Sequence, residues 1–221
     1  MKRPLLEFTP KGIYCASADV FLDPWKPVKK ALISHGHSDH SRPGHGRYIT
    51  HSSNVPIIRH RLGEISARGV EWNEEIRING VRFSFHPSGH IPGASQIRVE
   101  HRGEVWVFSG DYKTEDDGLA TPYEPIRCHT FITECTFGLP VFRWRPQAEV
   151  ATEIKAWWQA NAAEGRFSLL GAYSLGKAQR LIRMLDPSIG PILTHGAVES
   201  TNVVMRAQGI DLPDTTQLTK D

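Results

Sequence analysis

The run Ala31-Leu-Ile-Ser-His35-Gly-His37-Ser-Asp39-His40 constrains this chain more than any other stretch. A short apolar segment of strand character leads straight into three imidazoles and one carboxylate within six residues. A fold that accommodates it must set a strand end beside a polar site, because so dense a donor set cannot be buried unsatisfied. His35 and His37, two apart with Gly36 between them, can converge on one ion, and Asp39 and His40 can turn toward a second. Mixed nitrogen and oxygen donors suit Zn²⁺ or Mn²⁺, one ion or two, whereas a lone Mg²⁺ site rarely uses so many imidazoles. Eight of the chain's 11 histidines fall between residues 35 and 90, so the enrichment is local.

The surrounding sequence is that of a globular protein. Its 221 residues can bury a substantial core, and 39 % hydrophobic with 23 % charged residues excludes a disordered or fibrous chain. There is no run of roughly 18–20 apolar residues for a membrane span and no secretory leader pattern. Cys15, Cys128 and Cys135 form no CxxC, which suits a reducing cytoplasm. A net charge of +2 neither demands nor excludes nucleic acid.

Up to about Glu134 the pattern is one of short β runs: Leu5–Phe8, Gly12–Cys15, Val20–Leu22, Ala31–Ser34, Arg47–Thr50, Glu75–Ile78, Val81–Phe85, Gln96–His101, Val105–Ser109 and Phe131–Thr133. Gly80 and Arg102-Gly103 mark hairpin turns, and one helix is expected around Val55–Arg61. From Pro146 the period changes. Val150, Ile154, Trp157 and Trp158 share one helical face that ends at Gly165. A strand (Phe167–Leu170), a helix (Leu175–Leu185), a strand (Pro191–Thr194) and a helix (Val198–Ala207) follow, an alternation that implies a parallel sheet in a second, smaller unit. Residues 210–221 show no convincing element.

Other segments carry chemistry-bearing residues in a definite order. Asp23 stands in Phe21-Leu22-Asp23-Pro24, His90 in Ser88-Gly89-His90-Ile-Pro-Gly93, Asp111 in Phe108-Ser-Gly-Asp111-Tyr, and Glu134 in Ile132-Thr-Glu134-Cys-Thr-Phe-Gly138. Together with the histidine run, this order resembles the metallo-β-lactamase fold and, within it, the β-CASP nucleases. Leu170-Gly-Ala-Tyr-Ser-Leu-Gly-Lys177-Ala-Gln and Leu193-Thr-His195-Gly-Ala-Val-Glu199 bring it nearest to the bacterial ligase-associated DNA exonucleases, relatives of the DNA crosslink-repair nucleases. The resemblance covers essentially the whole chain, and its motifs are specific jointly.

The resemblance implies an α/β protein: the N-terminal part of an αββα sandwich over residues 1–138 and a partial β-CASP-like βαβα cap over 139–221. It implies that His35, His37 and His90 hold one metal ion and that Asp39, His40 and Asp111 hold another, with Asp111 shared. Asp39 would orient the attacking water, and Asp23 and Glu134 would fix imidazole tautomers and orientation, with Glu134 counted beside Asp39 among the catalytic groups. Family members return to the first sheet beyond the insertion and supply further histidines. His129 lies too early for those roles and His195 sits in the insertion-like segment, so this chain is expected to be the N-terminal part of a longer enzyme.

The implied reaction is hydrolysis of phosphodiester bonds in DNA, single-stranded or with processed ends, in repair beside a DNA ligase and helicase. Ser174 and Lys177, ahead of a helix, offer groups to a terminal phosphate, against ordinary helix capping. Arg143 and Arg145 flank Trp144 in a pattern that suits single-stranded nucleic acid, against a packed Trp between solvated charges. The remaining alternatives are an RNA-processing ribonuclease, a thioester or lactone hydrolase, and a catalytically incomplete fragment that binds metal or nucleic acid.

Overall fold

The computed structural model describes residues 3–219. The chain divides after Glu134 into two units, slightly ahead of the boundary after residue 138 expected from the sequence. Among the described residues no helix is long and apolar enough to cross a membrane.

The first unit holds two sheets. Strands β1 (Glu7–Thr9), β2 (Gly12–Cys15), β3 (Val20–Leu22), β4 (Ala31–Leu32), β5 (Tyr48–His51) and β6 (Ala67–Val70) form the first in simple order, with α1 (Asn54–Leu62) between the last two. The pairs from β3 to β6 are parallel. Strands β7 (Ile76–Ile78), β8 (Val81–Pro87), β9 (Ser95–His101), β10 (Glu104–Phe108) and β11 (Thr130–Ile132) form the second. Two-residue turns at Asn79-Gly80 and Arg102-Gly103, with φ positive at both positions of each, close the β7–β8 and β9–β10 hairpins.

Side-chain alternation sorts each strand between two environments. Leu22, Leu32, Ile49 and Val70 from the first sheet share one core cluster with Phe83, Phe85, Ile97, Val99 and Phe108 from the second, so the sheets pack face to face. The alternate residues Ala31, Ile33 and Tyr48 meet Ile58 of α1 on the opposite face. Among the described residues of this unit α1 is its single helix, where one helix was expected around Val55–Arg61. Strand β6 is absent from the sequence expectation, because only Val70 of its four residues is buried and no alternation shows.

The second unit comprises α2 (Gln147–Ala163), α3 (Lys177–Met184), β12 (Leu193–Thr194), α4 (Gly196–Arg206) and β13 (Thr216–Gln217). Two corrections to the sequence expectation follow. Phe167–Leu170 is not a strand: it takes part in no ladder, and Phe167 and Leu169 are 93 % and 91 % exposed. The parallel partner of β12 is instead β13, in the stretch where no element was expected. Glu199 explains the docking of that stretch, since its carboxylate accepts from Thr194 Oγ1 (2.7 Å) and Thr215 Oγ1 (2.5 Å) and pairs with Arg206.

Candidate metal centre

Strand direction gathers the polar residues at one end of the first unit. Strands β3 and β4 are parallel, and β8, β10 and β11 all run alike because β8 and β10 each pair antiparallel with β9. Asp23 follows β3, the His35–His40 loop follows β4, His90 follows β8, Asp111 follows β10 and Glu134 follows β11. Two glycines let these ends close. A Cβ on Gly110, whose φ is +52°, would stand 2.7 Å from Ser34 Cβ, and one on Gly89, at φ +73°, would overlap the Lys113 carbonyl. The Lys113 N–H in turn donates to Ser88 O at 2.9 Å, which ties the His90 loop to the Asp111 loop.

One group comprises His35, His37, His90 and Asp111, with their ligand atoms within 4.8 Å of one another. His37 Nδ1 lies 3.0 Å from His35 Nε2 and 3.2 Å from His90 Nε2. Asp111 Oδ2 lies 3.7 Å from His35 Nε2 and 3.3 Å from His90 Nε2. A second group, His40, Asp111 and Glu134, shares the Asp111 carboxylate. His40 Nε2 stands 3.3 Å from Asp111 Oδ1 and 3.6 Å from Glu134 Oε2. Asp39 Oδ2 reaches within 3.7 Å of the same nitrogen from a side chain that is 67 % exposed, at the rim of the cluster.

Asp23 sits behind the cluster. Its Oδ1 accepts the Ser34 N–H at 2.7 Å, and Oδ2 takes the Ser34 hydroxyl and stands 2.7 Å from His40 Nδ1. Both Asp23 oxygens are thus engaged, and the carboxylate, close to His35 and His40, meets His40 on its Nδ1 side. Ser34 Oγ also lies 3.0 Å from His35 Nδ1, so Nε2 of that ring is the one directed into the cluster. The Glu134 carboxylate stands on the Nε2 side of His40, among the candidate ligand atoms.

Burial and the neighbouring charges shift the titratable groups of the cluster in opposite directions. Burial, reinforced by the other imidazoles and Arg61, pushes His35 well below the ordinary histidine range. Burial likewise brings His90 down to about 4, against the pull of Asp111. Burial alone would lower His40, but Asp111 and Asp23 outweigh it and raise that ring to about 11. Burial would raise Asp111, yet His40 and His90 bring it down to about 2, while burial and the Asp111 charge push Glu134 up. Asp111 Oδ1 is buried and accepts no hydrogen bond. Imidazoles crowded around a half-buried carboxylate with one buried, unpartnered oxygen are a donor set that could hold a metal ion.

The remaining candidates lie in the second unit. Ser174 is half-buried, and its carbonyl accepts from Gln179 Nε2 at 3.0 Å. Lys177 opens α3 with Nζ 5.0 Å from the Tyr173 ring centroid. Arg145 forks across Glu149 (3.3 Å) and Glu153 (2.8 Å), and Arg143 and Trp144 are exposed. Sequence reasoning passed over Ser34, whose position directly before His35 was the available signal, and Arg61, which carried none.

No protein-family model matches the chain. It is 30 % identical over 211 residues to a protein of Opitutus terrae named "Probable DNA ligase", a match that covers 91 % of this chain and 20 % of that protein. It is 30 % identical over 119 residues to endoribonuclease YSH1 of Candida albicans, covering 53 % of this chain and 13 % of that one. Against cleavage and polyadenylation specificity factor 73 of Drosophila melanogaster the identity is 29 % over 119 residues, covering 53 % of this chain and 17 % of the relative. The chain thus spans a fifth or less of the length of these curated relatives. A crystal structure of a protein of unknown function from Enterococcus faecalis V583 superposes with a TM-score of 0.56 at 12 % identity, over 87 % of this chain and 59 % of that one. That likeness is one of fold alone.

Proposed function

We propose that this chain, which belongs to the β-CASP metallo-β-lactamase-fold proteins, carries the metal centre of a nuclease that hydrolyses phosphodiester bonds in DNA from an end. The observation that carries the reading is the pair of donor groups sharing Asp111, with three imidazoles on one side and His40 with Glu134 on the other. Bound there, Zn²⁺ or Mn²⁺ lowers the pKa of water toward neutrality and offsets the charge of the phosphoryl oxygens. The chain's own residues do the rest. His35, His37 and His90 present ring nitrogens to one ion, Asp111 spans the two groups, and Asp23 holds His40 in register. Asp39, exposed at the rim, is placed to accept a proton from the attacking water and to hold it in line with the scissile bond.

The preference for DNA rests on the relative named as a DNA ligase, which is matched across both units, whereas the endoribonucleases are matched over about half of the chain. A place in end-processing for a ligase follows from the same likeness. Ser174 and Lys177 in the cap are assigned to a terminal phosphate, and Arg143 and Arg145 to the strand leading to it. The free cysteines Cys15, Cys128 and Cys135 suit a reducing cytoplasm. The endoribonuclease relatives support a second reading, internal cleavage of RNA by the same centre.

The test is incubation of the purified chain with single-stranded DNA carrying a 5′-phosphate and a 3′ label, and with RNA of the same sequence. Each is run in Mn²⁺ and then Zn²⁺, beside the Asp39→Ala variant. Stepwise shortening of DNA by the unaltered chain alone is expected. Internal cuts in RNA would favour the second reading, and no cleavage of either by the folded chain would overturn both for this polypeptide.

A further inference from the structure

We propose that Arg61 is a positioning residue that braces the histidine loop and sets the geometry of its ligands, an inference that rests on the metal-centre reading above. Arg61 lies in the last turn of α1, which ends at Gly63, whose N–H returns to Arg59 O at 2.8 Å. Its Nη1 donates to Gly36 O at 2.6 Å and reaches Ser41 O at 3.3 Å and Ser41 Oγ at 3.5 Å. Gly36 and Ser41 bracket His37, Asp39 and His40, so one guanidinium nitrogen ties together both ends of the ligand-bearing segment. Between them the Ser41 N–H donates to His37 O at 2.8 Å and closes the turn.

The anchor is rigid because α1 is packed: Ile57 and Ile58 are buried, and Ile58 joins Ala31, Ile33 and Tyr48 beneath the helix. None of the three acceptors is a carboxylate. A half-buried guanidinium therefore spends charge-assisted bonds on the backbone of one loop, where pairing with an acid would have been the ordinary arrangement. That loop contains no helix or strand between Leu32 and Tyr48, so its carbonyls need partners from elsewhere. The next stretch is held separately, by the Tyr48 hydroxyl donating to Arg42 O at 2.9 Å and accepting from the His45 N–H at 3.2 Å.

The test compares Arg61→Ala and Arg61→Lys with Arg59→Ala, an exposed neighbour on the same turn. In the metal-free chain, the Ser41 amide of Arg61→Ala is expected to exchange its hydrogen at least about tenfold faster, with the β5 amides unchanged. In Co²⁺ titrations the same variant is expected to bind about 10–100-fold more weakly with an altered visible absorption envelope. Arg61→Lys, able to hold one carbonyl, should fall between, and Arg59→Ala should match the unaltered chain. Unchanged exchange at Ser41 together with an unchanged Co²⁺ spectrum in Arg61→Ala would overturn the proposal. Should Arg61→Ala fail to fold, the Lys variant decides by the same two readouts. If the unaltered chain takes up no Co²⁺, the metal-centre reading fails, and the exchange rates still decide whether Arg61 holds the loop.

Discussion

Asp23 Oδ2 stands 2.7 Å from Nδ1 of His40, while Nε2 of the same ring faces Asp111 and Glu134 on its other side. A carboxylate on Nδ1 holds a proton there, so an ion at Nε2 would take the place of the second proton that Asp111 and Asp23 favour on this ring. Asp23 also adopts a φ of 39°, a left-handed conformation that Asn tolerates well, so Asp23→Asn keeps the backbone while weakening the acceptor. It is expected to lower metal affinity at the His40 group by about 10–100-fold. The group built on His35, His37 and His90 should be affected less. Chelator competition measures both, and an unchanged affinity at the His40 group would contradict the assignment.

Asp111 faces the two donor groups with different oxygens, Oδ2 toward His90 and Oδ1 toward His40. Asp111→Asn should therefore reduce bound metal at both sites, whereas Glu134→Gln should remove only the ion held with His40. Metal content per chain after gel filtration distinguishes them. Equal losses in the two variants would mean that Asp111 does not bridge.

Much of this arrangement was legible because it is local. His35, His37, Asp39 and His40 announce themselves by spacing after an apolar strand, and Gly80 and Arg102-Gly103 read directly as hairpin turns. What escaped depends on distance in the sequence. Arg61 lies 25 residues from its Gly36 acceptor, and no local pattern encodes that contact. Glu134 could be listed as a candidate, but which side of His40 it faces follows from the parallel pairing of β10 and β11. Phe167–Leu170 has the composition of a strand, yet a strand exists only with a ladder partner, and β12 takes β13 instead.

His51 stacks on Trp72 with centroids 3.4 Å apart and planes 12° from parallel, and its Nε2 is buried without a partner. Burial lowers its pKa to about 4. The unfolded chain, with His near 6.5, binds more protons than the folded one between those values, so this contribution is complete above about pH 6.5 and is lost as pH falls toward 4. The shift corresponds to a loss on the order of 3 kcal/mol across that window. His51→Phe, which keeps a ring against Trp72, should flatten the fall of unfolding free energy between about pH 7 and pH 4 relative to the unaltered chain. Parallel pH profiles for the two would remove His51 as the cause.

Gly110 carries a testable link between the packing of the sheets and the metal centre. Its φ of +52° is unfavourable for alanine, and a Cβ there would stand 2.7 Å from both Cβ and Oγ of Ser34. Ser34 cannot yield freely, because its N–H and hydroxyl are both held by Asp23. Gly110→Ala is expected to cost about 1–2 kcal/mol from the left-handed backbone alone, with the clash adding to it. Because Ser34 and Asp23 orient His35 and His40, the same variant should also weaken metal binding. A conformational cost alone would lower the melting temperature of the metal-free chain and leave its affinity for Co²⁺ intact. Loss of both, in one substitution that adds a single methyl group next to Asp111, is the result expected if close approach of the β4 and β10 ends builds the site.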